Sequence, residues 1–291
     1  MADSPPSSPG LRHRPILLLS QDVFLLPRLQ DAAAALGFHL VVLGGLASSQ
    51  LAAAPPGDER MLTEPLHGPD AGFIRRVAEI QPALILLDLG DPILPALRWL
   101  QRLKTSAATR RMPVVAFGPH VEAARLNQAR QLGAEAVVPR SRLQSGLADL
   151  IRTHALPEMS DAIRSGCDRP LSSPAERGLD LMCRGAYFEA HEAFEEAWLN
   201  SDPAQHGLYR ALVQTCVTYL HLQRGNRPGA AKLLLRIHQW LDPLPDRCSG
   251  LDVATWKADL QALRAAMDAA GDDASATIDP RLLRPIQRFK S

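Results

Sequence analysis

Between Tyr187 and Trp198 the chain places one histidine and four carboxylates among aromatic residues, in the order Tyr187-Phe188-Glu189-Ala190-His191-Glu192-Ala193-Phe194-Glu195-Glu196-Ala197-Trp198. A helix turns by about 100° per residue, so Phe188, His191, Glu195, Trp198 and Leu199 share one face. Glu192 sits at its edge, while Glu189 and Glu196 point away. Burying an imidazole and a carboxylate costs free energy unless each finds a partner or a metal. The order His191-Glu192-x-x-Glu195 differs from a zinc-peptidase motif in offering a carboxylate as second ligand, a mixed N/O set suited to Fe, Mn or Zn. A later helix would carry Arg210, Gln214, Thr218 and His221 on one face. Antiparallel packing of the two helices would bring Gln214 and His221 to His191 and Glu195. Two readings stand side by side: a divalent metal or small ligand held by His191, Glu195 and His221, or a polar network satisfied within itself.

A second carboxylate of interest, Asp88, closes the apolar run Leu84-Ile85-Leu86-Leu87. The elements that position it alternate along the first half: strands at 16–19, 39–43, 84–88, 114–117 and 136–138, and helices at 24–36, 71–80, 94–104, 121–132 and 143–154. Five strands alternating with five helices imply a doubly wound parallel sheet, whose ligands bind at the carboxyl ends of the strands. From residue 174 on, the periodicity is helical throughout, with helices expected at 176–184, 187–200, 207–224, 228–241 and 253–270. The expected fold class is therefore α/β plus all-α, a five-stranded sheet domain followed by a compact helical bundle. Its parts are a disordered tail 1–13, an α/β domain 14–155, a linker 156–174, an all-α domain 175–270 and an irregular tail 271–291.

The first half resembles the response-regulator receiver family. The resemblance rests on Leu84 to Asp88, on Met112-Pro113-Val114-Val115-Ala116 and on Gly133-Ala134-Glu135-Ala136-Val137-Val138. It implies that Asp88 matches the phosphoacceptor. The family's acidic pair after the first strand falls on Ser20-Gln21, with Asp22 one place further on. Its hydroxyl residue falls on Gly118, and its lysine on Arg140. The resemblance thus points to a pseudo-receiver that acts by protein–protein contact, with phosphorylation of Asp88 as an alternative.

The run from Gly185 to Trp198 is similar to the signature of the bacterial domain-of-unknown-function family 309. Ala211-Leu212-Val213-Gln214, Tyr219-Leu220-His221, Arg224-Gly225-Asn226 and Gly229 to Leu234 follow in order. This resemblance implies a helical domain whose polar residues gather around the His–Glu helix, and it carries over onto Glu189, His191, Glu192, Glu195, Trp198, Gln214, His221 and Asn226. Asn226 has a second reading, as a helix-ending residue in the left-handed conformation.

Composition narrows the function. The 291 residues carry a net charge of +1, which gives no reason to expect nucleic acid. The amino terminus has no apolar core of a secretory signal, no run is long enough to span a bilayer, and the four cysteines form no Cys-x-x-Cys pair. The expectation is a bacterial cytoplasmic regulatory protein, with a protein partner or a second copy bound through the receiver-like half and a small molecule bound by the helical half. A metal-dependent hydrolase, with Glu192 or Glu195 as general base, is the alternative from another class.

Overall fold

The computed structural model describes residues 14–43, 68–156, 161–271 and 278–289. The tail expected over 1–13 lies outside these residues, as do most of the connection between the second strand and the second helix and part of the last segment. From the amino end the elements are β1 (Ile16–Leu19), α1 (Leu26–Ala34), β2 (Leu40–Val42), α2 (Pro69–Ile80), β3 (Leu84–Asp88), α3 (Ala96–Thr105), β4 (Val114–Gly118), α4 (Ala123–Gln131), β5 (Ala136–Pro139) and α5 (Arg140–His154). The chain divides into two compact units. The first takes in the described residues of 1–53, 82–104 and 112–158, and the second those of 54–81, 105–111 and 159–291.

The first unit is built on a five-stranded sheet of order β2-β1-β3-β4-β5, all neighbours parallel. This is the strand order of doubly wound folds, in which ligands sit at the β1/β3 switch point. β1, β3 and β4 are buried along their whole length, which explains why they read as unbroken apolar runs rather than as alternating ones. Leu18, Leu86, Val115 and Phe117 pack with Leu29, Leu143, Leu147 and Ile151 into one core. α5 starts three residues earlier than its apolar period suggests. Pro139 is extended and feeds directly into a polar first turn at Arg140 that carries no periodic signal.

The second unit contains α2 and then α6 (Asp161–Cys167), α7 (Ser173–Cys183), α8 (Tyr187–Leu199), α9 (His206–Gln223), α10 (Arg227–Arg236), α11 (His238–Leu241), β6 (Arg247–Cys248), β7 (Leu251–Asp252) and α12 (Val253–Ala269). α7, α8 and α9 pack in sequence, and α10 packs on α9. Close approach of α7 and α8 depends on Gly178, where a Cβ would come within 2.6 Å of the Phe194 ring.

The structure adds three details to the expected plan. The segment expected as a linker over 156–174 contains α6, whose Cys167 is disulfide-bonded to Cys248, 81 residues later. The segment expected to be entirely helical contains the antiparallel β6–β7 hairpin, turning through Ser249 and Gly250 at positive φ. Part of the expected irregular tail is packed: Ile286 is buried, the Asp252 N–H donates to Gln287 O at 3.0 Å, and the Phe289 N–H donates to Gly250 O at 2.9 Å. None of these features has a local period, so a pattern read along the chain passes over them.

Candidate functional site

In the first unit β3 ends on Asp88, whose residue is 0% exposed. Parallel pairing sets it beside the ends of β1 and β4, and both of its oxygens are occupied. Oδ1 accepts from the Gly90 N–H at 2.9 Å. Oδ2 accepts from the Ser20 hydroxyl at 2.9 Å and from Arg140 Nη2 at 2.5 Å. The other arm of the same guanidinium, Nη1, donates to Asp22 Oδ2, and the cation lies 5.8 Å from the Phe117 ring centre. Asp22 in turn takes N–H donors from Phe24 at its own carboxylate, while its backbone N–H donates to Ser20 Oγ. Asp91 accepts from the Gln21 and Ile93 N–H groups, so it only fastens its own loop and the β1 end.

The position read as a substitute for a lysine thus holds a fork that joins two carboxylates, Asp22 and Asp88. Guanidinium has the planar geometry for such bridging, which a point-charge ammonium lacks. A cavity of about 280 Å³ opens beside this cluster, lined by Leu18, Ser20, Asp22, Val23, Leu26 and Val42. Val23, Phe24, Ile93 and Val121, all just past strand ends, are exposed, Phe24 by 90%.

In the second unit the His–Glu helix is turned differently from the expectation. α8 buries Tyr187, Ala190, Ala193, Phe194 and Ala197. The face with His191 and Glu195 is half-exposed, and Phe188 and Leu199 are exposed by 47% and 74%. The buried face is instead made by these five small or aromatic residues, while Phe188 and Leu199 reach solvent. His191 Nε2 lies 3.1 Å from Glu195 Oε1. Glu189 and Glu192 are exposed, and Glu196 pairs with Arg177 at 2.6 Å.

Gln214 lies on α9, which packs against α8. The Tyr187–Tyr219 ring contact and the Trp198–Arg210 stack fix an antiparallel register that sets His191 opposite Gln214. His191 Nδ1 and Gln214 Oε1 are both buried without a hydrogen-bond partner. His221 is not gathered to His191 as a ligand. Its Nδ1 accepts from Asn226 Nδ2 at 3.0 Å, and Asn226 Oδ1 accepts from the Gly229 N–H at 3.0 Å. Asn226 is thus the N-cap of α10, and the left-handed residue that ends α9 is Gly225, at φ 73°. Gly229 completes the knot, because a Cβ there would stand 2.7 Å from the Asn226 amide nitrogen and 2.9 Å from His221 Nδ1. The three expected metal ligands are thus divided between an ion pair and a helix cap. Among the described residues no group of three or more His, Cys, Asp or Glu could hold a metal ion.

The cap carries a pH dependence. His221 accepts at Nδ1 only as the neutral ring, and burial, then nearby Arg224, push its pKa below the ordinary 6.5. The unfolded chain then binds the proton more readily, so this share of stability is complete above about pH 6.5 and is lost as pH falls through the lower folded value. Denaturant midpoints measured from pH 8 to 5 are expected to decline less in His221→Gln than in the native chain. An identical decline would remove His221 from the account. Asn226→Ala is expected to cost about 1 kcal/mol at pH 7, the worth of an N-cap.

Sequence reasoning passed over a further group. The Arg210 guanidinium lies 4.5 Å from the ring centres of both Trp198 and Trp240, and that of Arg111 lies 4.9 Å from Trp240. The spacing of Arg210 from Gln214 marks it as one of that face, but Trp240 and Arg111 come from distant segments and give no signal along the chain.

Residues 175–233 match the family model described as Domain of unknown function (DUF309). No curated protein matches the chain. Among solved structures, the phosphorylated cyanobacterial phytochrome response regulator RcpA is similar at 16% identity, over 49% of this chain and 94% of that one, with a TM-score of 0.35. A response regulator receiver domain from Rhodospirillum rubrum is similar at 19% identity, over 49% and 96%, with a TM-score of 0.36. The receiver domain of NtrX from Brucella abortus follows at 14%, over 48% and 96%, with 0.34. No helix among the described residues is long and apolar enough to cross a membrane. What the chain presents is a five-stranded parallel sheet together with a mostly helical unit that carries the DUF309 match.

Proposed function

We propose that this is a regulatory protein whose receiver-like unit works by protein contact and not by phosphotransfer. The observation that carries the reading is the Arg140 bridge between Asp88 and Asp22. A Mg²⁺ ion needs a near-octahedral shell at about 2.0–2.1 Å, mostly of carboxylate oxygen and water. The guanidinium takes the oxygens such an ion would use and supplies the neutralising charge itself. On Asp88, Oδ2 already carries two donors and Oδ1 one, which crowds the oxygens that an in-line attack on a phosphoryl group would use. Gly118 adds no hydroxyl at the end of β4. The exposed side chains of Val23, Phe24, Ile93 and Val121 around this edge support a contact role, with a second copy of the chain or another protein as partner.

The test is incubation with acetyl phosphate and Mg²⁺ followed by intact-mass measurement. The native chain is expected to gain no phosphoryl group. A Mg²⁺-dependent gain that disappears in Asp88→Asn would replace this reading with a working phosphoacceptor.

A further inference from the structure

We propose that the second unit carries an oxyanion-binding site centred on Arg210, which accepts a carboxylate or phosphate group. It goes beyond the regulatory reading and stands without it. Arg210 is held with Trp198 and Trp240 each 4.5 Å away, an arrangement that fixes the plane of the guanidinium and leaves its N–H groups to donate along their edge. No carboxylate and no carbonyl accepts from it among the described residues, and the same is true of Arg111. This contrasts with Arg140, Arg177, Arg264 and Arg284, each of which has an aspartate or glutamate. Both cations lie within 5 Å of the Trp240 ring centre. Their separation is therefore inside the screening length of ~10 Å at 0.1 M salt, and they repel each other with only indole faces, and no carboxylate, in contact among the described residues.

Burial and the neighbouring Arg111 both pull Arg210 below its ordinary pKa, as expected of a cation lacking its anion. A guanidinium fork matches the two oxygens of a carboxylate or phosphate in one plane. Two stacked indoles hold it in that plane beforehand, which lowers the ordering cost of binding. The placement gives Arg210 the ligand contact, and Arg111 the supporting field.

The probes are inorganic phosphate and sodium acetate, titrated into the full chain at constant ionic strength set with sodium chloride. Binding is read by calorimetry and by tryptophan fluorescence, because two of the four indoles flank the site. Saturable binding of at least one probe is expected. Arg210→Gln should weaken it by about tenfold or more, the worth of a charge-assisted hydrogen-bond pair. Arg210→Lys should fall short of native binding, because it keeps the charge and loses the fork. Arg111→Gln is an exposed change that spares the fold, and it should weaken binding severalfold. Preference for phosphate or for acetate assigns the ligand class. Absence of saturation with both probes, or unchanged binding in Arg210→Gln and Arg111→Gln, would overturn the proposal. If Arg210→Gln melts early, Arg111→Gln and Arg210→Lys decide the matter. None of these outcomes depends on whether Asp88 accepts phosphate.

Discussion

Replacing Cys167 and Cys248 together by alanine is expected to destabilise the second unit by about 4–5 kcal/mol, the loop entropy released when a cross-link spanning some 80 residues is removed. The bond joins α6 to the β6–β7 hairpin, and the Ser249 N–H donates to Cys167 O at 2.7 Å beside it. A cross-link acts mainly on the unfolded chain, where it denies the ends of the loop their independent motion. A thermal melt should therefore drop by roughly 10–15 °C in the double variant, and the native chain with reductant should drop equally. Alkylation and mass measurement would count the free thiols in each sample. A native melt that ignores complete reduction would show that the contacts of α6 hold the hairpin unaided. Disulfides persist in oxidising compartments and are rare where thiols are kept reduced. Thiol counting on protein taken directly from cells would show which state of Cys167 and Cys248 occurs there.

The second large effect is expected at Arg140. In Arg140→Ala the Asp88 carboxylate keeps its Ser20 and Gly90 donors but loses its cation while remaining buried. Removing one partner of a fully buried pair costs about 3–5 kcal/mol. The Arg140 side chain is 33% exposed, so water reaches one side, and about 2–3 kcal/mol is the better expectation. Adding Asp88→Asn should return most of that loss, since an amide needs no counter-charge. Urea unfolding of the four proteins in this cycle gives the coupling directly. A coupling near zero would mean that Arg140 is held by Asp22 and Phe117 and does nothing for Asp88. The same cycle bears on the proposed function, because a cation that stabilises the folded carboxylate is one that Mg²⁺ must displace.

Much of the candidate site was legible from local patterns, and the remainder follows a clear line. Asp88 is recognisable because three buried leucines and one isoleucine precede it in an uninterrupted strand. Arg140 is recognisable as a position, after β5, but its bridge to Asp22 joins residues 118 apart in sequence. The buried face of α8 departs from helical spacing of the large residues for a related reason. Helical spacing groups Phe188 with His191, but Ala190, Ala193 and Ala197 allow the closer approach to neighbouring helices, and close packing outweighs the size of one aromatic residue. Asn226 and His221 read equally well as ligands or as a cap, until Gly229 is seen to have no room for a side chain.

The sequence by itself determined the alternation of strands and helices, the parallel sheet, the helical second half and the strand-end place of Asp88. The alternation and the place of Asp88 rest on periods written between residues a few positions apart, and the parallel sheet follows from that alternation. Only the tertiary structure decided that Arg140 closes the Asp88 site, that Cys167 meets Cys248, that His221 serves a helix cap, and that Arg210 is stacked between Trp198 and Trp240. Each of these is a contact between side chains brought together by packing, and packing is a property of the whole fold that no local period encodes.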